Sequence, residues 1–330
     1  MVSDAVIFIA GLGCGLLLLW AVFALVQRPH MLAVPNERSS HTRPTPTMGG
    51  LAFGLIVIGF LLYLTSVELR LAASLATALG SVVAIGLWDD LRGLSPALRL
   101  CVHVLAAAFV CWGLDLQASW WLNAMVVVGL VWLVNLYNFM DGIDGYAAAQ
   151  ALVFCLGLLL VGEGMPVWTE QLVWLFSGAM LAFLAFNWPP AKIFMGDVGS
   201  GFIGLLIGAI VVYLVQLEVI SIVSSLILLA GFWVDATYTL IVRLGSGQNI
   251  SQAHRQHAYQ LCAMRIGHAR MTIALVLYAG LWLLPLAYVP RLIPESLLLY
   301  GWSFELALLA AAVAPVVALG VWSGAGRRPG

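Results

Sequence analysis

Long apolar runs constrain this chain more than any other feature of its sequence. Eleven segments are predominantly apolar over about 18 or more residues, and a helix of that length crosses the roughly 30 Å hydrocarbon core of a bilayer. With 63% hydrophobic and 9% charged residues and a mean hydropathy of +1.03, the 330-residue chain leaves little sequence for a water-soluble domain. The runs cover approximately residues 5–27, 50–67, 70–88, 98–115, 120–138, 146–162, 170–187, 201–217, 219–242, 270–290 and 297–320.

These runs predict an all-α fold, a polytopic integral membrane helix bundle of about eleven transmembrane helices, with residues 1–330 forming one membrane-embedded domain. If the runs alternate across the bilayer, twelve of the 14 Lys and Arg residues lie on one side, and only Arg70 and Arg291 lie on the other. Because cytoplasmic loops are enriched in Lys and Arg, we expect the N-terminus outside and the C-terminus in the cytoplasm. A net charge of −1 indicates no nucleic-acid partner.

The polar motifs lie in five loops on this basic side, at residues 28–49, 88–98, 138–145, 187–200 and 243–269. The loops on the opposite side are short, apart from residues 161–171, and carry no comparable clusters. This one-sided distribution predicts a single reaction site that faces the cytoplasm.

Carboxylates and amides are concentrated at the ends of three apolar runs. A solvated helix end is the alternative interpretation of "WDD", and a glycine-rich helix end is the alternative for "NLYNFMDGIDG". Ionisable groups at membrane depth are costly, so we interpret them as functional. Oxygen ligands of this kind favour a hard cation such as Mg²⁺, with Mn²⁺ as the alternative ion. The residues are Asp89, Asp90, Asn138, Asp141, Asp144 and Asp197.

Cationic and imidazole groups accompany these carboxylates. Lys192 is the only lysine, and "HRQHAYQ" places His254 and His257 three residues apart with Arg255 between them. Such groups suit a diphosphate; a basic juxtamembrane segment or a two-histidine zinc site are the alternatives. His103, inside the fourth run, is expected to be a packing residue. Together these features indicate Mg²⁺-assisted phosphoryl chemistry at the cytoplasmic surface, where a lipid substrate can enter from the side.

The ordered set "PTPTMGG", "WDDLRG", "NFMDGIDG", "FMGDVGSG" and "HRQHAYQ" resembles the polyprenyl-phosphate N-acetylhexosamine-1-phosphate transferases of glycosyltransferase family 4. The resemblance covers nearly the whole chain. It implies transfer of a sugar 1-phosphate from a UDP-N-acetylhexosamine to undecaprenyl phosphate, with Mg²⁺ required and UMP released. It also implies a multi-pass protein of the bacterial inner membrane, in contact with membrane lipid, that initiates O-antigen or related polysaccharide synthesis. The resemblance is also compatible with a homodimer.

The resemblance also carries residue roles to matching positions. It implies a catalytic set of Asp89, Asp90, Asp141, Asp144 and Asp197, with Asp197 and Asn138 at the metal. It implies substrate binding by Asn138, Lys192, Phe194, His254, Arg255, His257, Arg43 and Asn187. "HRQHAYQ" departs from the triple-histidine form of the peptidoglycan branch and is closer to the O-antigen branch, which uses UDP-N-acetylfucosamine or UDP-GlcNAc. Arg43 and Arg92 stand near positions where the family usually has lysine.

Two other classes of membrane protein share some of these sequence features. A transporter of nucleotide sugars or ions would place its carboxylates near the bilayer midplane, often in repeated halves, whereas here they lie at helix ends on one face. A CDP-alcohol phosphatidyltransferase needs Ala-Arg and further aspartates after its aspartate-glycine motif, whereas this sequence continues "DGIDGYAAAQALVFCLG". Asp235, in the ninth run, matches a family aspartate, and a helix-packing hydrogen bond is its alternative role.

Overall fold

The computed structural model describes residues 3–28, 31–34, 43–66, 68–249, 252, 254–292 and 301–327. Almost all of the regular structure in these residues is helical, which confirms the all-α polytopic prediction. The predicted cytoplasmic segments 28–49 and 243–269 lie partly outside the described residues. The helices are α1 Asp4–Leu25, α2 Gly50–Leu64, α3 Leu69–Arg92, α4 Pro96–Leu114, α5 Trp120–Met140, α6 Tyr146–Val161, α7 Val167–Asn187, α8 Gly196–Gln216, α9 Ile222–Leu228, α10 Ala230–Gly245, α11 Ala258–Ile266, α12 His268–Tyr278, α13 Leu284–Leu292 and α14 Gly301–Ser323.

Every predicted apolar run coincides with a helix or a helix pair, but eleven full spans are not established. Within the described residues, eight helices are long and apolar enough to cross a membrane, with α12 and α13 joined through the π-helical turn Ala279–Leu283. A ninth span results if α9 and α10, bent by 80°, are counted as one. The helices α2 and α6 have 15 and 16 residues, or roughly 23 Å of helix.

The two short helices begin at Gly50 and Tyr146, each directly after a polar loop. Before α2, a two-residue strand β1 Leu32–Ala33 pairs antiparallel with β2 Thr45–Pro46. The chain then hydrogen-bonds to the loop before α8, where Phe194 N donates to Pro46 O at 2.8 Å and Gly49 N donates to Phe194 O at 2.9 Å. Before α6, Gly145 adopts φ 76°, a conformation that favours glycine.

The helix α8 lies at the centre of the bundle, and its most apolar stretch is 83% buried. Glycines allow its neighbours to approach closely. A Cβ atom on Gly86 of α3 would lie 2.6 Å from Val198 Cα, and one on Gly204 would lie 2.7 Å from Val134 Cα of α5. Since α8 begins where α3 and α5 end, this packing brings their polar termini together at one end of the bundle.

An aromatic cluster fixes α2 and α7 against α8. Phe53 of α2 lies 5.5 Å from Phe183 of α7 and 5.8 Å from Phe202 of α8, measured between ring centroids. These separations are in the range of favourable aromatic pairs. Together with the loop hydrogen bonds before α8, the cluster holds "PTPTMGG" beside "FMGDVGSG".

Candidate active site

Arg99 of α4 lies between two aspartates from different helices. Its Nη1 atom is 2.6 Å from Asp89 Oδ2 at the end of α3 and 2.5 Å from Asp197 Oδ2 in the first turn of α8. The tight turn between α3 and α4 begins at Gly93, with φ 67°, and Ser95 caps α4. Sequence reasoning treated Arg99 only as a cytoplasmic charge; its position in the first turn after "WDDLRGLSP" is the signal that could have identified it.

Asp197 also receives a hydrogen bond from α5. Asn138, in the last turn of that helix, donates its Nδ2 to Asp197 Oδ1 at 2.6 Å and to Ser200 Oγ at 3.3 Å. The structure therefore brings Asp89, Asn138 and Asp197 together, as the sequence predicted, and adds Arg99 to them.

Asp90 points towards the start of α8. Its carboxylate oxygens accept hydrogen bonds from the backbone nitrogens of Asp197 at 3.0 Å and Val198 at 3.3 Å. The first N–H groups of a helix have no intrahelical partner, and Asp90 supplies one from a neighbouring helix. Gly196 stands between them with φ 74°, and a Cβ there would lie 2.8 Å from Thr47 Oγ1. This geometry gives Asp90 a role in positioning Asp197.

Asp141 ends α5 in a half-buried position and accepts no hydrogen bond from the described part of the chain. Burial raises its pKa well above the ordinary value, and the nearby carboxylates of Asp197, Asp144 and Asp90 raise the pKa further. The negative charge around Asp141 is thus only partly compensated.

Asp144 connects the loop before α6 to two other parts of the chain. Its Oδ2 accepts a hydrogen bond from Ala191 N at 3.1 Å and lies 3.4 Å from Nδ1 of His268, at the start of α12. Its backbone oxygen accepts a hydrogen bond from Thr272 Oγ1 at 3.1 Å. His268 is a second residue that sequence reasoning missed, because only the tertiary fold brings it to this loop.

Asn187 was predicted to bind substrate, but it is only 3% exposed and both ends of its amide are used internally. Oδ1 accepts from Gly145 N at 2.9 Å, and Nδ2 donates to Ile193 O at 2.9 Å. Its side chain therefore fixes the two loops relative to each other and does not face a ligand. The other predicted substrate residues in these loops differ: Lys192 and Arg43 are exposed, and Phe194 is half-buried.

Asp235 of α10 fixes the position of the histidine segment, residues 254–260, through hydrogen bonds to its backbone. The two oxygens of Asp235 accept hydrogen bonds from the first backbone nitrogens of α11, Ala258 N and Tyr259 N, each at 2.9 Å. The Tyr259 hydroxyl accepts from Gly142 N and donates to Phe139 O, both at 2.9 Å. The segment is thereby joined to the aspartate loop that follows α5.

The two histidines of "HRQHAYQ" are less exposed than the sequence suggested. His257 is 2% exposed, and its ring stacks on that of His254 with 5.0 Å between centroids. Burial lowers the pKa of His254 to about 4, with His257 and Arg243 lowering it further. His254 is therefore neutral at pH 7, and the neighbouring Arg255 is exposed.

The donor set at Asp197 suits a hard cation better than zinc. Among the described residues, no three His, Cys, Asp or Glu side chains are already arranged around a common metal position, so His254 and His257 lack the further protein ligand that a zinc site needs. Around Asp197 lie the carboxylates of Asp89 and Asp90 and the amide of Asn138, and two carboxylates, those of Asp89 and Asp197, share the guanidinium of Arg99. This chemistry fits Mg²⁺, which prefers oxygen ligands and keeps several of its waters.

A cavity of about 90 Å³ extends from the acidic cluster into the bundle. It lies among α3, α4, α5 and α8. Its polar lining residues are Arg99, His103, Asn135, Asn138 and Asp197. His103 lies one helical turn further from the polar end of α4 than Arg99, and Asn135 lies about one turn further from the polar end of α5 than Asn138. Because both pairs line the cavity, it leads towards the membrane interior.

The model of the family described as glycosyl transferase family 4 matches residues 71–215. That segment contains Asp89, Asn138 and Asp197, while the histidine segment lies beyond it.

Curated relatives cover more of the chain. A probable undecaprenyl-phosphate N-acetylglucosaminyl 1-phosphate transferase of Bacillus subtilis is 28% identical, covering 74% of this chain and 73% of its own length. A decaprenyl-phosphate N-acetylglucosaminephosphotransferase of Mycobacterium tuberculosis is 28% identical, covering 78% and 74%. A phospho-N-acetylmuramoyl-pentapeptide-transferase of Lacticaseibacillus paracasei is 31% identical, covering 61% and 70%.

Proposed function

Since this chain belongs to glycosyl transferase family 4 and is a polyprenyl-phosphate hexosamine-1-phosphate transferase, we propose that its donor is a UDP-N-acetylhexosamine and its acceptor is undecaprenyl phosphate. The products would be an undecaprenyl-diphosphate sugar and UMP. The names of the relatives support N-acetylglucosamine as the first sugar to test. The lipid product would start a cell-envelope polysaccharide such as O-antigen.

The observation that carries this proposal is the meeting of Asp89, Arg99 and Asp197. Asp197 is 98 residues from Arg99 in sequence, yet the guanidinium contacts both carboxylates within 2.6 Å at the ends of membrane helices. Carboxylates around one guanidinium, open to a cavity that leads into the membrane, suit a reaction between a water-soluble diphosphate and a lipid phosphate.

In the proposed reaction, an oxygen of the lipid phosphate attacks the β-phosphorus of the donor. The bond from that phosphorus to the bridging oxygen breaks, and UMP leaves with the electron pair. A phosphate monoester has a second pKa near 6 and is largely ionised at pH 7, so direct attack needs no protein base. For this reason we favour direct attack over an aspartyl-phosphate intermediate.

Individual residues would contribute in different ways. Asp197 and Asn138 would hold Mg²⁺, which supplies neutralisation of the diphosphate charge when bound. Asp90 would keep Asp197 at the start of α8, and Asp89 would keep Arg99 directed at the site. Arg255 is the exposed cation of the histidine segment and is assigned to the donor. Positioning and charge stabilisation would provide most of the rate enhancement.

The proposed orientation in the membrane follows from the distribution of basic residues. We propose eleven crossings of the bacterial inner membrane, with α2, α6 and the bent α9–α10 pair included, and with the reaction site facing the cytoplasm. This arrangement places twelve Lys and Arg residues on the cytoplasmic side and two outside.

The decisive experiment follows a labelled phosphate. Purified protein and undecaprenyl phosphate are incubated with UDP-GlcNAc, UDP-GalNAc or UDP-N-acetylfucosamine carrying ³²P at the β-position, and the lipids are extracted. We expect the label in the lipid fraction with one donor and unlabelled UMP in the aqueous phase, with Asp197→Asn as the inactive control. Label that stays in water with every donor contradicts the proposal. Sugar nucleotide that accumulates inside vesicles without a lipid product would instead support a transporter.

A further inference from the structure

His103 carries a buried polar atom that the fold leaves without a partner. The Nδ1 atom of its imidazole is inaccessible to solvent and has no hydrogen bond in the described part of the chain. Such an atom costs free energy unless a ligand or water satisfies it. The expectation from sequence that His103 serves only in helix packing leaves this atom unexplained.

The place of His103 in the site suggests a reason for it. His103 follows Arg99 by four residues on α4, so both side chains lie on the same face of the helix, and both line the cavity that contains Asp197. At about 90 Å³, the cavity has room for several waters. A phosphate group fits in such a space.

The outer face of α4 has the character of a lipid-facing surface. Leu100, Val104 and Leu105 are 48%, 41% and 64% exposed. An isoprenoid chain can therefore lie along α4 outside the bundle while its phosphate enters the cavity beside Arg99. In this arrangement the lipid acceptor binds on the membrane side of the carboxylates. The donor then binds on the opposite side, where the polar loops lie.

We propose that His103 is a binding residue for the phosphate of the lipid acceptor, donating a hydrogen bond from its imidazole while Arg99 supplies the positive charge. The inference rests on the proposed function and adds a specific residue and subsite to it. An imidazole N–H and a guanidinium together give a phosphate monoester several charge-assisted hydrogen bonds. His103 would thereby distinguish a lipid phosphate from an uncharged lipid alcohol.

The test compares acceptor and donor in the full-length protein. His103→Leu removes the donor group, His103→Gln keeps an N–H, and Leu277→Ala, at an exposed position of α12, is the control. We expect His103→Leu to raise KM for undecaprenyl phosphate by about ten- to a hundredfold, the effect of one hydrogen bond to a charged group. The Kd for the UDP-sugar, titrated without acceptor, should stay within about twofold. His103→Gln should restore most of the acceptor affinity, and Leu277→Ala should behave as wild type.

Other outcomes would overturn the assignment. A higher donor Kd with an unchanged acceptor KM would mean that the cavity holds the donor diphosphate. An equal increase of the acceptor KM in His103→Leu and His103→Gln would mean that His103 serves only in helix packing. An unchanged acceptor KM in both variants would mean the same. If His103→Leu does not fold, His103→Asn serves in its place, since its shorter amide does not reach as far.

Failure of the His103 assignment can be distinguished from failure of the proposed function. If wild type forms no lipid product, that function fails, but binding of undecaprenyl phosphate to wild type and His103→Leu can still be compared by native mass spectrometry. Equal binding to both proteins would then overturn the role of His103 on its own.

Discussion

Asp90 and Asp197 face each other across two helices, and the carboxylate of Asp90 accepts the backbone N–H of Asp197 at 3.0 Å. Asp197 is thus positioned through its main chain by one aspartate, while its own carboxylate binds Arg99 and Asn138. The paired aspartates at the end of α3 therefore differ in function: Asp89 contacts the guanidinium, and Asp90 supports the helix that carries Asp197.

Replacement of Asp90 tests whether this residue only supports the start of α8 or also takes part in the reaction. Asparagine caps helix N-termini about as well as aspartate, whereas alanine costs about 0.5–2 kcal/mol. We expect Asp90→Ala to lower both the thermal stability in detergent and the turnover, and Asp90→Asn to retain most of each. A stable Asp90→Asn variant that is as inactive as Asp90→Ala would show that the charge of Asp90 takes part in the reaction.

Replacement of Asp197 tests the metal. If Asp197 holds Mg²⁺, Asp197→Asn should reduce turnover by about a thousandfold or more, because a bound divalent ion contributes several kcal/mol and each 1.36 kcal/mol is a factor of ten. The melting temperature should change little. In wild type, EDTA should abolish transfer of the labelled sugar phosphate, and Mg²⁺ or Mn²⁺ should restore it; full activity in excess EDTA would refute the metal role.

Asp235 should act on donor binding from a distance. It is 3% exposed and touches backbone groups of α11, so Asp235→Ala leaves two buried N–H groups unsatisfied, at about 1–3 kcal/mol each. We expect a higher Kd for the UDP-sugar and faster proteolysis of the histidine segment, with Asp235→Asn milder than Asp235→Ala. Tyr259→Phe is the companion variant, since it removes only the hydroxyl that joins α11 to the aspartate loop. Normal donor binding in Asp235→Ala would exclude this coupling.

His254 gives the stability a defined dependence on pH. Its pKa falls from 6.5 to about 4 on folding, so the unfolded chain binds the proton more tightly than the folded chain does. The contribution of neutral His254 is complete above pH 6.5 and is lost as the pH falls towards 4. Thermal unfolding of wild type and His254→Gln, compared between pH 7.5 and 4.5, should show a smaller loss for the variant. Parallel curves would exclude the contribution.

Cysteine labelling can establish the orientation. In a background without the five native cysteines, single cysteines at Ser39 and Ser251, both outside the described residues, should react only from the cytoplasmic side. Glu163, whose side chain is 88% exposed between α6 and α7, should react from outside when replaced by cysteine. Reversed labelling of either group would contradict the proposed topology and with it the cytoplasmic reaction site.

Helix placement and the meeting of the aspartate motifs could be predicted because both depend on local signals. Apolar runs mark the helices, and polar residues at run ends mark the site. The family resemblance was confirmed by the comparisons. The break at Leu229 between α9 and α10 gave no such signal, because the apolar run is continuous in sequence and only packing bends it.

Residues whose role depends on a distant partner were missed or assigned differently. His268 comes to Asp144 from 124 residues away, and no periodicity could reveal this contact. Asn187 was predicted to bind substrate, but its amide bonds to Gly145 and Ile193 occupy both ends of the side chain. A sequence shows which side chains can form hydrogen bonds; the fold determines which of those groups remain available.

The pairing of Arg99 with Asp89 has a consequence for biogenesis. The two residues are only ten apart, across the turn between α3 and α4, so their ion pair can form as soon as this hairpin leaves the ribosome. Asp197 is synthesised almost a hundred residues later. Until then, the guanidinium of Arg99 can compensate the charge of Asp89 at the ends of the two helices. Arg99 would therefore pair first with Asp89 and would contact Asp197 only after α8 has been synthesised and packed.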